Sequence, residues 1–167
     1  EYNVLLRVHQ LAYIKLRNNE TISKLLIPST VDANRMFSMT DILITDYSSI
    51  YFDYLVTGRP ILFYIPDLEE YSLTRGVYFS EEELPGPVAK CAEDICDYIN
   101  HLESYVGQYK RLYQKVKEWA CPKDDGNVSC RILNALLDSD GSYTITKSYD
   151  QAAPKILLYA GELKDNN

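Results

Sequence analysis

Four short apolar runs, at residues 4–8, 24–27, 41–45 and 60–65, are continuous in hydrophobicity, with amphipathic stretches between them. A strand that alternates apolar and polar residues shows one face to water. A strand that does not alternate is covered on both faces, as in a parallel sheet lying between helices. Strands and helices in that rhythm predict an α/β fold with a parallel sheet flanked by helices. The helices are expected at residues 10–17, 32–39 and 49–57. The third has the clearest boundaries, with Asp46 and Ser48 as capping residues in front and Gly58 where a left-handed residue closes a helix.

The character changes at Pro66. Residues 66–87 carry Pro66, Gly76, Pro85, Gly86 and Pro87, which predicts a long loop without a regular element, ordered by Tyr64, Tyr71, Tyr78 and Phe79. Nine acidic and two basic residues fall between Asp67 and Asp97, a regional charge equal to the −7 of the whole 167-residue chain. That balance argues against a general grip on a nucleic-acid backbone, so any anion must be held locally. Residues 91–120 have helical spacing, read as two helices broken near Ser104, and a last helix follows Asp125 and Gly126 through Leu137.

The first expected domain covers residues 1–138. Residues 139–153 read as a polar linker, and residues 154–167 as the truncated start of a following domain. The chain lacks an initiating Met, which suggests a segment of a longer protein. No apolar run approaches the roughly 18 to 20 residues that span a bilayer. Cys91, Cys96, Cys121 and Cys130 have neither the spacing of a zinc site nor the density of a disulfide scaffold, and they are expected to be reduced, buried thiols.

The stretch from Asp41 to Asp53 is the most informative chemically, because a buried strand runs straight into a helix start bearing Ser48 and Ser49. Ligands of open parallel sheets sit beyond the carboxyl ends of the strands. Unpaired N–H groups, the positive end of the helix dipole and two hydroxyls would hold a phosphate there without a lysine cluster. Asp46 and Ser48 would equally serve as plain helix caps.

In these segments the chain resembles a known family. Thr45-Asp46-Tyr47-Ser48-Ser49 and the residues through Tyr54, then residues 59–64, 67–71, 75–79 and 84–87, stand in the order and spacing of the CDP-glycerol glycerophosphotransferases, the teichoic-acid primases and polymerases. Residues 5–9, ending in Arg7, Val8 and His9, resemble the family's strand that ends in a basic residue and a histidine, and residues 124–126 resemble its closing motif. The resemblance covers roughly residues 1 to 138.

It implies a Rossmann-like half of a GT-B architecture, the C-terminal half that holds a CDP-glycerol or related CDP-alditol donor. A polyol-phosphate polymer would be the acceptor and CMP the leaving group. His9 would be one of two catalytic histidines, the other lying in an upstream half, so this segment alone is expected to be inactive. Donor contacts are expected from Arg7, Asp46, Ser48, Ser49, Asp53, Glu69, Arg75 and Gly76, with no metal or other cofactor. Gln10 stands where many members have Pro, and His101 is expected to be a solvated surface residue. The parent enzyme would be cytoplasmic, held at the inner face of the membrane by other parts of its chain. Two other classes share the architecture: a half of a UDP-sugar GT-B glycosyltransferase, and a nucleotide-binding module without catalysis.

Overall fold

The computed structural model describes residues 2–74, 76, 77 and 79–137. It divides into two compact units, residues 1–123 and 124–167. The linker and the following domain expected after residue 138 lie outside the described residues.

In the first unit, β1 (Leu43–Thr45), β2 (Ile61–Tyr64) and β3 (Val88–Ala89) form a parallel sheet in the order β1-β2-β3. Leu43, Ile44 and Thr45 pair with Ile61, Leu62 and Phe63, and Phe63 and Tyr64 pair with Val88 and Ala89. Ile61, Leu62 and Phe63 are almost fully buried, as the unbroken apolarity of a doubly covered strand requires. Helices α1 (Gln10–Leu16), α2 (Ala33–Met39) and α3 (Ile50–Tyr54) fall where the amphipathic stretches place them. A 3₁₀ turn at Leu55–Thr57 continues α3 to Gly58, which adopts φ 71° in the left-handed region.

The core is built from Met36, Phe37, Tyr51, Tyr54, Leu55, Ile61, Phe63, Leu84 and Val88. Tyr54 is fully buried, yet its hydroxyl donates to the Thr40 carbonyl at 2.9 Å. Burial alone pushes the Tyr51 phenol up to about 12. Arg59 reaches back to the end of α2, donating to the carbonyls of Phe37, Ser38 and Thr40 at 3.3, 3.2 and 2.6 Å. A cation there satisfies carbonyls that a helix end leaves open.

Five sequence expectations need correction. The apolar runs at 4–8 and 24–27 meet in a single parallel bridge, Leu6 to Leu26, with Leu6 N–H donating to Leu25 at 2.7 Å and Ile27 N–H to Leu6 at 2.9 Å. Residues Ile22–Lys24 form a 3₁₀ turn that uses up the start of the second run. The stretch 66–87 is not free of regular structure, since it holds α4 (Leu68–Thr74) and a 3₁₀ turn at Glu81–Glu83 closed by a Ser80/Glu83 capping box. The break between α5 (Ala92–Asn100) and α6 (Leu102–Ala120) falls at His101, whose φ −113° and ψ 28° leave the helical region, and not near Ser104. Finally, the cysteines form no disulfide with one another, but they are not buried: Cys91, Cys96 and Cys130 are exposed and Cys121 is half-buried.

His101 is exposed, as expected, and its Nδ1 lies 3.0 Å from Asp97 Oδ1. In the second unit, α7 (Val128–Leu137) follows a turn in which Gly126 takes φ 82°, and Arg131 binds Asp125 at 2.7 Å. That bond holds the Asp125 carboxyl below its ordinary range. No helix among the described residues is long and apolar enough to cross a membrane.

Candidate functional site

The parallel register delivers two chain segments to one edge of the sheet. β1 and β2 both end there, Thr45 opposite Phe63, so the turn at 46–49 and the entry to α4 leave from neighbouring strands. In the turn, Asp46 Oδ1 accepts from the Ser48 N–H at 3.0 Å, a local bond typical of aspartate in turns. Ser48 Oγ accepts from the Ile50 N–H at a long 3.4 Å, and the Ser49 hydroxyl makes no capping bond. Asp46, Ser48 and Ser49 are all exposed. The aspartate therefore shapes the turn, while the two hydroxyls remain largely open.

α3 is five residues long, shorter than the sequence suggests, because its last turn tightens to 3₁₀ before Gly58. A dipole summed over so few peptides is weak, so hydroxyls and nearby N–H groups matter more here than the helix charge. Asp53 lies exposed in the first turn of α3.

Sequence reasoning missed what lies beside the turn. The Tyr47 hydroxyl donates to Asp67 Oδ1 at 2.9 Å, and the Tyr47 ring stacks on Tyr71 of α4 with centroids 3.6 Å apart and planes 7° from parallel. Burial and then the Asp67 bond raise the Tyr47 phenol well above its ordinary value, so it stays a donor. Glu69 is exposed in the first turn of this helix, and Gly76 follows its end with φ 75° and open space where a Cβ would stand. Arg75 lies outside the described residues. The one signal in the sequence was a tyrosine set between Asp46 and Ser48.

His9 and Arg7 belong to the Leu6 bridge, which no backbone pairing among the described residues joins to the three-stranded sheet. Arg7 is committed to structure: it donates to the carbonyls of Pro28, Val31 and Ser29 at 2.8, 3.1 and 3.3 Å, fastening the loop before α2. His9 is the N-cap of α1, its Nδ1 accepting from the Leu11 N–H at 3.3 Å. A neutral imidazole that accepts at Nδ1 carries its proton on Nε2. The exposed ring thus offers an N–H donor at its far side.

Gln10 occupies the first position of α1, where proline is favoured because no helical partner awaits that N–H. His9 has φ −57° and ψ 146°, the extended conformation that a residue before proline also takes. The turn at His9 is therefore compatible with either residue. Gln10→Pro is expected to raise unfolding stability by up to about 1 kcal/mol, through a stiffer unfolded chain. A thermal melt checks it, and a clear loss of stability would mean that the turn needs the Gln10 N–H.

A parallel three-stranded sheet flanked by helices, with a hydroxyl-bearing turn at its carboxyl edge, defines an α/β domain of the Rossmann-like class. The sequence profile of CDP-Glycerol:Poly(glycerophosphate) glycerophosphotransferase matches residues 1–138, and the chain belongs to that family. The teichoic acid poly(glycerol phosphate) polymerase of Bacillus spizizenii strain W23 is 39% identical over 142 residues, covering 82% of this chain and 35% of the polymerase. The teichoic acid ribitol-phosphate primase of the same strain is 33% identical over 138 residues, covering 81% of this chain and 34% of the primase. A solved structure of the wall teichoic acid polymerase TagF, a variant soaked with CDPG, superposes with a TM-score of 0.71 at 29% identity, covering 83% of this chain and 35% of that one. The chain thus spans about a third of the length of these relatives.

Proposed function

We propose that this chain carries the donor-binding half of a GT-B phosphotransferase. The enzyme moves glycerol phosphate, or a related alditol phosphate, from a CDP donor to a hydroxyl of a teichoic-acid-like polymer and releases CMP. The observation that carries this is the family match over residues 1–138, which contains the open Ser48/Ser49 turn at the carboxyl edge of the sheet. The acceptor oxygen attacks the phosphorus next to the alditol, the bond from that phosphorus to the CMP oxygen breaks, and CMP leaves with the electron pair. Charge builds on the phosphate oxygens, so catalysis rests on placed donors.

Ser48 and Ser49 grip the diphosphate, and the Nε2–H of His9 donates to the oxygen that becomes CMP. The acceptor proton goes to a base in the upstream half of the enzyme. Asp53 and Glu69 orient ribose or alditol hydroxyls, Gly76 lets the backbone approach the donor, and Arg75 adds a cation. Arg7 serves by holding the 28–31 loop in place. The enzyme works at the inner face of the cell membrane, attached through other parts of its chain.

Titration of the full-length protein with CDP-glycerol, CDP-ribitol, UDP-glucose and CMP tests the donor class: a CDP-alditol should bind best, and preference for UDP-glucose would discard the proposal. Replacing Ser48 and Ser49 together by Ala should weaken CDP-alditol binding by about tenfold or more, the loss expected for two hydrogen bonds to a charged ligand. The melting temperature should hardly move, since the Ser48 cap bond is long and Ser49 makes none. If capping were their whole role, stability would fall by about 1 kcal/mol per cap with binding intact.

A further inference from the structure

Two segments that stand apart in the sequence, the 45–54 stretch and the 67–71 stretch, are physically joined at the sheet edge. They meet through the Tyr47 hydroxyl on Asp67 and the parallel stack of Tyr47 on Tyr71. Tyr47 is wedged in the middle of the turn, between Asp46, which shapes it, and Ser48 and Ser49, whose hydroxyls it presents. Tyr71 lies on α4, the same seven-residue helix that carries Glu69.

A ring fixed on one face by another ring and at its hydroxyl by a carboxylate has little freedom left to rotate. The backbone of Ser48 and Ser49 follows directly from it. α4 is exposed along most of its length and has no buried residue; Leu68 at its start packs against the core, and past it the helix leans on the turn through Tyr71. We propose that Tyr47, Asp67 and Tyr71 act together as positioning residues: they brace the 46–49 turn and tie it to α4, so that the serine hydroxyls and Glu69 meet the donor as one rigid unit. The donor role of the turn is taken from the function proposed above; the brace itself stands on the hydrogen bond and the stack.

The consequence is a specific split. Tyr47 touches neither the breaking bond nor the acceptor in this arrangement, so its hydroxyl serves ground-state donor binding. In the full-length enzyme, Tyr47→Phe and Asp67→Ala, each of which removes the hydrogen bond, should raise KM for the CDP-alditol about tenfold while kcat stays within about twofold. Tyr71→Ala should do at least as much, and Tyr71→Phe, which keeps the stacked ring, should recover most of that loss. Hydrogen exchange of the same variants without donor reads the brace directly. Amides at 46–50 and at 68–74 should speed up together in Tyr47→Phe and Tyr71→Ala.

Faster exchange confined to 68–74, or a fall in kcat with KM unchanged, would overturn the brace. Failure of the wild-type enzyme to bind any CDP-alditol would instead sink the proposed function, and the exchange data would still decide whether the brace exists.

Discussion

Replacing His9 by Ala in the full-length enzyme is expected to lower kcat and kcat/KM together by about 10²- to 10³-fold, the range for loss of one placed donor to developing charge, with KM for the donor little changed. His9 has two jobs that must be separated. Its Nδ1 caps α1 through the Leu11 N–H, and its Nε2–H is the donor proposed to meet the leaving CMP oxygen. Alanine removes both, so a partial loss of folding would blur the result. His9→Asn keeps a good N-cap but is too short to place a donor where Nε2 stands. It should melt with the wild type and remain as inactive as the alanine variant. An asparagine variant with near-normal kcat would assign His9 to capping alone, and a raised KM with kcat preserved would make it a ground-state contact.

The largest effect on stability is expected at Gly86. Its backbone crosses β2 so closely that an added Cβ would collide with the carbonyl group of Ile61. The contact is backbone on backbone inside the core, next to the bond from Phe63 N–H to the Pro87 carbonyl at 2.9 Å, so no side chain can swing away to relieve it. Overpacking of this kind ordinarily costs about 1 to 3 kcal/mol when neighbours can yield, and Gly86→Ala should cost at least the upper end of that range or prevent folding.

Gly58 supplies the control. It has φ 71° but open space where an added methyl group would stand, so Gly58→Ala meets only the strain of the left-handed conformation, about 1 to 2 kcal/mol. Urea midpoints of the two variants give the comparison. Equal losses would mean that β2 and the 85–87 segment separate more easily than this packing implies.

The Gly86 contact also shows why part of the fold escaped the sequence. Residues 84–87 signal a turn, yet they lead into β3, which has two residues and becomes a strand only by pairing with Phe63 and Tyr64. Two residues carry no periodicity to detect. α4 is a similar case: breakers surround it, its acidic composition suggests loop, and its attachment to the turn depends on Tyr71 meeting Tyr47. The early runs at 4–8 and 24–27 failed in the opposite direction. Their apolarity is that of a strand, but only one residue of each pairs.

The candidate site divides along the same line. Asp46, Ser48 and Ser49 were legible because they are contiguous: a strand, a capping residue and two hydroxyls in succession state a turn at a sheet edge without further information. Tyr47, Asp67 and Tyr71 were not, since the bond and the stack between them exist only after β1 and β2 align Thr45 with Phe63. Arg7 adds a contact that the sequence did not show, since its guanidinium donates to three carbonyls of the loop before α2. The α/β class, β1, β2 and the helices other than α4 could be read from local sequence, because periodicity and unbroken apolar runs record how each segment is covered. β3, α4 and the aromatic brace came from the folded chain alone, because they depend on register between strands, and register is a property of pairs of segments that no single stretch of chain contains.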